Sequence, residues 1–332
     1  MSWPAVVAPT TRSSPTCESS DREPVASEPM EHVRWLAEPQ LTNPIVVAGF
    51  TGWNDAGDAA STAVRTLIES GRARALAEID PEPFTDFATV RPQVRLDQQH
   101  HRQIIWPTVG VWSMSAPGAD VVLVLGPEPA LRWRAFCEQI VGIARHFDSP
   151  LALTLGALLA DVPHTRPVQL IGTATDHELV ERFDLERSRY EGPTGIVGVL
   201  QHALTEAGVP SASLWAAVPG YASQIPSPRA AIALVDRACS IMGTPAPTAG
   251  LAAQAAEYDA TVAALVADDD DLELYVARLE SMLDEMADEL DHQLDDDREA
   301  PDASGPDPGD PGDPSELVNE VEQFLRDRND DT

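Results

Sequence analysis

Lysine does not occur in this 332-residue chain; all 22 cationic side chains other than histidine are arginine. That absence excludes whole classes of chemistry. A P-loop needs the lysine of its GxxxxGK[ST] motif, and Schiff-base catalysis needs a primary amine whose pKa can be lowered, which a guanidinium does not offer. A GC-rich genome is the plainer source of the bias, and the exclusion holds whatever the cause. Cysteine is scarce too: Cys17, Cys137 and Cys239 are odd in number, widely spaced and without a CxxC pair. This fits a reducing, cytoplasmic setting better than a disulfide framework. No apolar run approaches the roughly 18 residues of a membrane helix, and the N-terminus lacks the basic-then-apolar order of a signal peptide. There is no basic stripe with interleaved aromatics, so nucleic acid is excluded as a partner, and a membrane surface falls by the same charge argument. No internal repeat stands out.

What is present is a globular chain, 43% hydrophobic, with a formal net charge of -32. The charge is concentrated: Glu257 to Thr332 holds 27 of the 54 acids and four of the 22 arginines, leaving a mildly acidic body. Residues 1–30, rich in Ser, Pro and Glu, read as a disordered tail.

The most informative stretch is Ile45 to Ser70. Ile45-Val46-Val47-Ala48 lacks polar alternation, as a strand covered on both faces does. Ala59, Ala60, Ala63, Val64, Leu67 and Ile68 recur at helical spacing, so the turn Gly52 to Asp58 lies at the carboxyl end of a buried strand. Open α/β sheets bind ligands and partners at that edge. Ala75–Ile79 and Gln103–Trp106 read as short strands and Val121–Leu125 as a central one, with a helix starting at Gly126-Pro127-Glu128-Pro129 and running through Phe147. Leu151–Leu155, closed by Gly156, and Val168–Thr173 are further strands; Gly195–Ala207 is a helix, Ser213–Val218 a strand and Pro228–Met242 a helix. Alternation of this kind predicts an α/β fold with a mostly parallel sheet and helices on both faces over residues 31–248.

From Leu251 the chain turns helical and acidic. Leu272, Tyr275, Leu279, Met282, Leu283 and Met286 recur every three or four residues, Leu290 and Leu294 continue the stripe, and Asp270 with Glu273 makes a capping-box pattern. Residues 249–298 therefore predict a helical hairpin. Residues 299–313 alternate Asp, Gly and Pro as an extended linker. Over 314–328 the sequence predicts one more amphipathic helix, with Leu317, Val321, Phe324 and Leu325 on one face. A helix this short is marginal alone, so it folds against something, its own domain or a partner.

Each candidate functional residue has a plainer alternative. Asp55 and Asp58, with Asn54, have the spacing to ligate a hard cation, but acids at a helix start also cap amides, and capping is favoured. Trp53 reads equally as an exposed anchor for a partner or as core closing the sheet edge. Asp161, His164 and Arg166 have the types needed to orient an anion or move a proton, yet no GxSxG-like nucleophile accompanies them, and loop stabilisation is favoured. Glu191-Gly192-Pro193-Thr194-Gly195 leads into a helix whose free amides suit a phosphate, which Glu191 would oppose. His100-His101-Arg102 reads as a solvated loop. No metal site and no cofactor are expected.

The segments NPIVVAGFTGWNDAGDAA, GALLADVPHTRPVQLIGTATD and YEGPTGIVGVLQHALTEAGVPSASLWAAVPGYASQIPSPRAA resemble the actinobacterial branch of the proteasome assembly chaperone 2 family, over about Leu41 to Met242. The resemblance implies a three-layer α/β/α sandwich, phosphorylase-like in outline, with an appended C-terminal helical hairpin and a tendency to self-associate. In eukaryotic and archaeal relatives it implies binding to proteasome α-subunits; some family descriptions suggest ATP-grasp ligases instead, which a lysine-free chain fits poorly. Relatives that dock on α-rings end in a hydrophobic residue, tyrosine and one further residue, whereas this sequence ends Asn329-Asp330-Asp331-Thr332. Tyr221, inside the third segment, joins the candidate binding residues. The expectation is a non-catalytic protein-binding or assembly factor, a homo-oligomer with a protein partner related to the proteasome. A small-molecule enzyme of phosphorylase or hydrolase type on the same loops is the alternative.

Overall fold

Ten strands and seven α-helices follow one another in the computed structural model, which describes residues 30–299, with side chains through residue 286. The strands are β1 (Val33–Trp35), β2 (Ile45–Thr51), β3 (Arg74–Ile79), β4 (Gln93–Leu96), β5 (Arg102–Ile105), β6 (Val109–Ala116), β7 (Ala119–Pro127), β8 (Ala152–Ala160), β9 (Leu170–Ala174) and β10 (Ser211–Pro219). The helices are α1 (Ala59–Ser70), α2 (Trp133–His146), α3 (His177–Phe183), α4 (Ile196–Glu206), α5 (Pro228–Met242), α6 (Ala252–Ala267) and α7 (Asp270–Glu299). The expected tail, the linker, and the terminal segment with Leu317, Val321, Phe324 and Leu325 lie outside the described residues.

Eight strands form one sheet in the order β1-β3-β6-β7-β2-β8-β10-β9; β4 and β5 pair separately. The central four, β7-β2-β8-β10, run parallel, and antiparallel strands flank them on both sides. Period-two alternation sorts β2 between two cores: Val47 faces α1 and α5, while Val46, Ala48 and Phe50 face α2 and α4. The chain therefore forms the expected α/β/α sandwich. Gly49 is required where α1 crosses β2, because a Cβ there would lie 2.9 Å from Val64 Cγ2 and 3.2 Å from the Ala60 carbonyl. Helix α5 begins and ends on local signals: the Ser227 hydroxyl accepts from Ala230 N at 3.3 Å, Pro228 takes the first turn, and Gly243 closes the helix at φ 67°.

Four boundaries differ from the sequence reading by more than a shift of one or two residues or by the residue that caps them. Strand β8 continues through Gly156 to Ala160, because the residue opposite Gly156 on β10 is Trp215, whose ring occupies the space a side chain would fill. Strand β7 likewise continues through Pro127, and α2 starts only at Trp133, after residues 128–132 cross the sheet edge. Asp269, not Asp270, caps α7, its Oδ1 accepting from Asp271 N at 3.0 Å and Leu272 N at 3.1 Å. Strand β6 and the edge strand β1 carried no sequence expectation.

The registers fix what stands at the carboxyl edge of the parallel strands. Ile79, the last residue of β3, pairs with Val109, the first of β6, so the β4–β5 hairpin springs from this same edge. Glu128 and the Trp53 turn follow β7 and β2; residues 161–167 and 220–225 follow β8 and β10. At about 4.8 Å per strand, the edge spans roughly 24 Å from β3 to β10.

Candidate functional site

Adjacent strands β2 and β7 lead to helices on opposite faces, α1 on one and α2 on the other, which makes their carboxyl ends the topological switch point of the sheet. Here the chain fills its own crevice. Asn54, 1% exposed, sits in it with its backbone carbonyl accepting from Ala157 N at 2.8 Å. Its Nδ2 donates to Glu128 Oε1 at 2.9 Å, and the same oxygen accepts from Ile196 N, the first amide of α4, at 2.9 Å. Glu128 Oε2 takes the Trp53 amide at 3.4 Å. A carboxylate of this chain thus occupies the place at the start of α4 where an anionic ligand would sit. Gly195 lets Asn54 approach, since a Cβ there would fall 2.3 Å from Asn54 Nδ2.

Asp55 is buried and caps α1, its Oδ1 accepting from Ser61 N at 3.0 Å. Burial raises its carboxyl above the ordinary aspartate range, against the lowering effect of the Ser61 hydrogen bonds. Asp58 makes no side-chain cap; it turns the chain into α1 in a left-handed conformation at φ 51°. Trp53 points the other way and is 54% exposed. Glu191 lies on the exposed approach to α4.

The 161–167 loop is brought to the helical hairpin, and its polar side chains are spent there. Tyr221 Oη accepts from His164 N at 2.7 Å and lies 2.9 Å from His164 Nδ1. Which atom donates in the second contact depends on the imidazole tautomer, since the hydroxyl oxygen has lone pairs for both the backbone N–H and an Nδ1–H of His164. Burial lowers the His164 pKa, with Asp259 and Glu280 opposing, and burial pushes the Tyr221 hydroxyl up to about 12. Arg166 forms a bidentate pair with Asp284 of α7, at 2.8 and 2.6 Å, and Thr165 bonds Glu280. Asp161 Oδ1 accepts from Tyr275 Oη at 2.7 Å, and burial followed by this bond raises the Tyr275 pKa. Arg229 ties the His164 carbonyl to Asp259 of α6. A small cluster of Ala222, Tyr258, Val262, Val266 and Val276 lies beneath.

Asp161 and His164 therefore do not converge on a reacting centre: each bonds a different tyrosine, and the Tyr221 and Tyr275 rings meet edge to face at 6.3 Å. The recess beside them, lined by Pro163, His164, Gln169, Pro219 and Tyr258, is small. Among the described residues there is no cluster of three or more His, Cys, Asp or Glu that would hold a metal, and no helix is long and apolar enough to cross a membrane. Glu128 escaped the sequence reading. The available signal was an acid directly following a buried strand at the switch point.

Residues 49–266 match the PAC2 family. A PAC2 family protein from Streptomyces avermitilis is 44% identical, with a TM-score of 0.66, covering 70% of this chain and 99% of its own. The proteasome-assembly chaperone homologue of Mycobacterium tuberculosis is 43% identical, with a TM-score of 0.64 and the same coverage. An archaeal proteasome activator from Pyrococcus furiosus shares the fold at 17% identity, with a TM-score of 0.58 over 70% of this chain and 97% of its own. No curated protein matches.

Proposed function

This chain belongs to the PAC2 family, and from that premise we propose that it is a non-catalytic protein-binding assembly factor whose partner surface is the carboxyl edge of its sheet. The observation that carries this reading is the disposition of the edge: Asn54, Asp55, Asp161, His164 and Arg166 are committed to bonds within the chain, while Trp53 stands out from it, 54% exposed. Each of these side chains is held by at least one bond of the chain's own, though Asn54 Oδ1 and Asp55 Oδ2 stay buried without a partner, and an edge so held whose most prominent feature is an aromatic ring suits recognition by burial more than turnover.

The partner inferred is a proteasome subunit or partly assembled proteasome of the same cell, met in the cytoplasm, where the buried free thiols of Cys137 and Cys239 face no oxidant. Self-association belongs to the same reading. The segment beyond residue 313 would add Leu317, Val321, Phe324 and Leu325 as a tethered apolar arm.

Purified proteasome α-subunits and half-proteasomes, immobilised and titrated with the full chain, test the proposal. Saturable binding is expected, weakened about tenfold or more by Trp53→Ala. Absence of binding to either species removes the proteasome reading, and binding indifferent to Trp53 removes the surface. If a chain lacking residues 313–332 binds as the full chain does, the tethered arm is wrong.

A further inference from the structure

The β4–β5 hairpin stands apart from both cores, and all eight of its strand residues are exposed. Its register places Val94 opposite Ile104 and Leu96 opposite Arg102, so these four share one face, with Trp106 next on the same alternation. Val94, Leu96, Ile104 and Trp106 are 48%, 60%, 50% and 49% exposed. Two strands alone are marginal in water, and an apolar face of this kind calls for a cover.

Charge indicates which cover. Residues 91–106 carry Arg91, Arg95, Arg102, His100 and His101 against the single acid Asp97, in a chain of net charge -32. The described chain holds a second uncovered apolar face of opposite sign. Between Ala252 and Met286 there are ten acids and one arginine. Met282 and Met286, four apart on one side of α7, remain 44% and 42% exposed, and the half-covered ring of Tyr275, which bonds Asp161 and meets Tyr221, lies two turns earlier on the same side. The inner side of the same helices, Val262, Val266 and Val276, is already packed. The two faces belong to opposite ends of the carboxyl edge, one rising from β3 and β6, the other held by the loops after β8 and β10. Within one copy they do not cover each other.

We propose that the basic apolar face of the β4–β5 hairpin in one copy seats on the acidic apolar stripe of α7 in a second copy. The proposal rests on the self-association inferred above and assigns its surfaces. The contact is heterologous: each copy presents both halves, so association runs head to tail and closes into a ring where the rotation allows. Methionines suit the helix side, because their flexible thioethers adapt to the ridges of a β-face. Opposite charges orient the encounter and make it sensitive to salt.

The test uses the full-length chain and two variants at half-exposed positions, Ile104→Asp and Met282→Arg, each of which sets like charge against the opposing face. In sedimentation velocity over a dilution series, the wild type is expected to associate, and each variant to do so about tenfold or more weakly. An equimolar mixture of the two variants is expected to recover a dimer, because one retains an intact helix face and the other an intact hairpin. Circular dichroism melts unchanged from the wild type confirm folding. As a check without mutation, amide exchange in residues 93–105 and 272–286 of the wild type is expected to slow together as concentration rises. Association of the wild type that ignores both variants, or a mixture that fails to recover, overturns these surfaces and leaves self-association standing. A wild type that stays monomeric at every concentration overturns both.

Discussion

Tyr221→Phe deletes one oxygen atom and keeps the ring that packs against the Ala222–Tyr258–Val262 cluster. The lost hydroxyl is the partner of two groups on buried His164: it accepts the backbone N–H at 2.7 Å and shares a hydrogen bond with Nδ1 at 2.9 Å. An amide left buried without an acceptor costs about 1–3 kcal/mol, and the second bond contributes about 1 kcal/mol more where water does not replace it. Allowing for partial solvation at this half-buried loop, about 2 kcal/mol is expected. The loop joins the α5–α6 packing, the Arg229–Asp259 pair and the apolar cluster in holding α6 and α7 to the sheet domain, so the loss falls on a local opening of that pair while the sheet stays closed. Since 1.4 kcal/mol is tenfold, amides of α6 and α7 should exchange with deuterium about 30-fold faster in the variant, with β2, β7 and β8 unchanged. Tyr275→Phe is the control, since it removes only the exposed bond to Asp161, worth about 1 kcal/mol or less. Equal acceleration by the two variants, or wild-type exchange in α6 and α7 of Tyr221→Phe, would refute the view that the His164–Tyr221 pair is the clasp.

Four further outcomes follow from the geometry. The folded His164 pKa lies below 6.5, so as pH falls the unfolded chain binds the proton first; stability is full above that value and is lost below it. Urea midpoints should drop from about pH 7.5 to about pH 5, less so in His164→Asn. Glu128→Ala leaves Asn54 Nδ2 and Ile196 N without their acceptor and should lower stability by about 2 kcal/mol in urea; an unchanged midpoint argues against the plugged crevice. Gly156→Ala drives a methyl to 2.5 Å from the Trp215 ring, with a cost of about 1–3 kcal/mol read from thermal unfolding. Burial pushes the Cys137 thiol up to about 12 and Cys239 up to about 11, so iodoacetamide at neutral pH should label both in urea and neither in the native chain, as mass spectrometry will show.

Strands buried on both faces were legible because their apolar runs admit no other use: Val46–Ala48 and Val121–Leu125 announce the parallel centre. Helix α5 was legible to the residue, since Ser227, Pro228 and Gly243 each mark an end by a local mechanism. Continuity of β8 and β7 past Gly156 and Pro127 was not, because it depends on what stands opposite. Gly156 lies inside β8 only because Trp215 occupies its side-chain space from β10, 59 positions away in sequence. The chemistry-bearing residues show the same division. That Asp161, His164 and Arg166 share a loop is written locally; that Tyr275, Tyr221 and Asp284 take them up is a long-range fact. Glu128 was missed for that reason too, its partners Asn54 and Ile196 lying 74 and 68 positions away.

The plugged switch point also bears on the proposed binding role. In an open α/β sheet the crevice between β2 and β7 attracts anions when helix amides point into it unopposed. In this chain the Ile196 amide meets Glu128, and Asn54 fills the space between them, so the local charge is negative where a phosphate would need it positive. Removing lysine from the chain and placing a carboxylate at the helix start act in the same direction. With the crevice closed, the edge keeps only its rims: Trp53 at the middle, the basic apolar hairpin at one end, and the acidic helices at the other. Those rims are separated by roughly 24 Å of sheet, the scale on which one protein surface meets another.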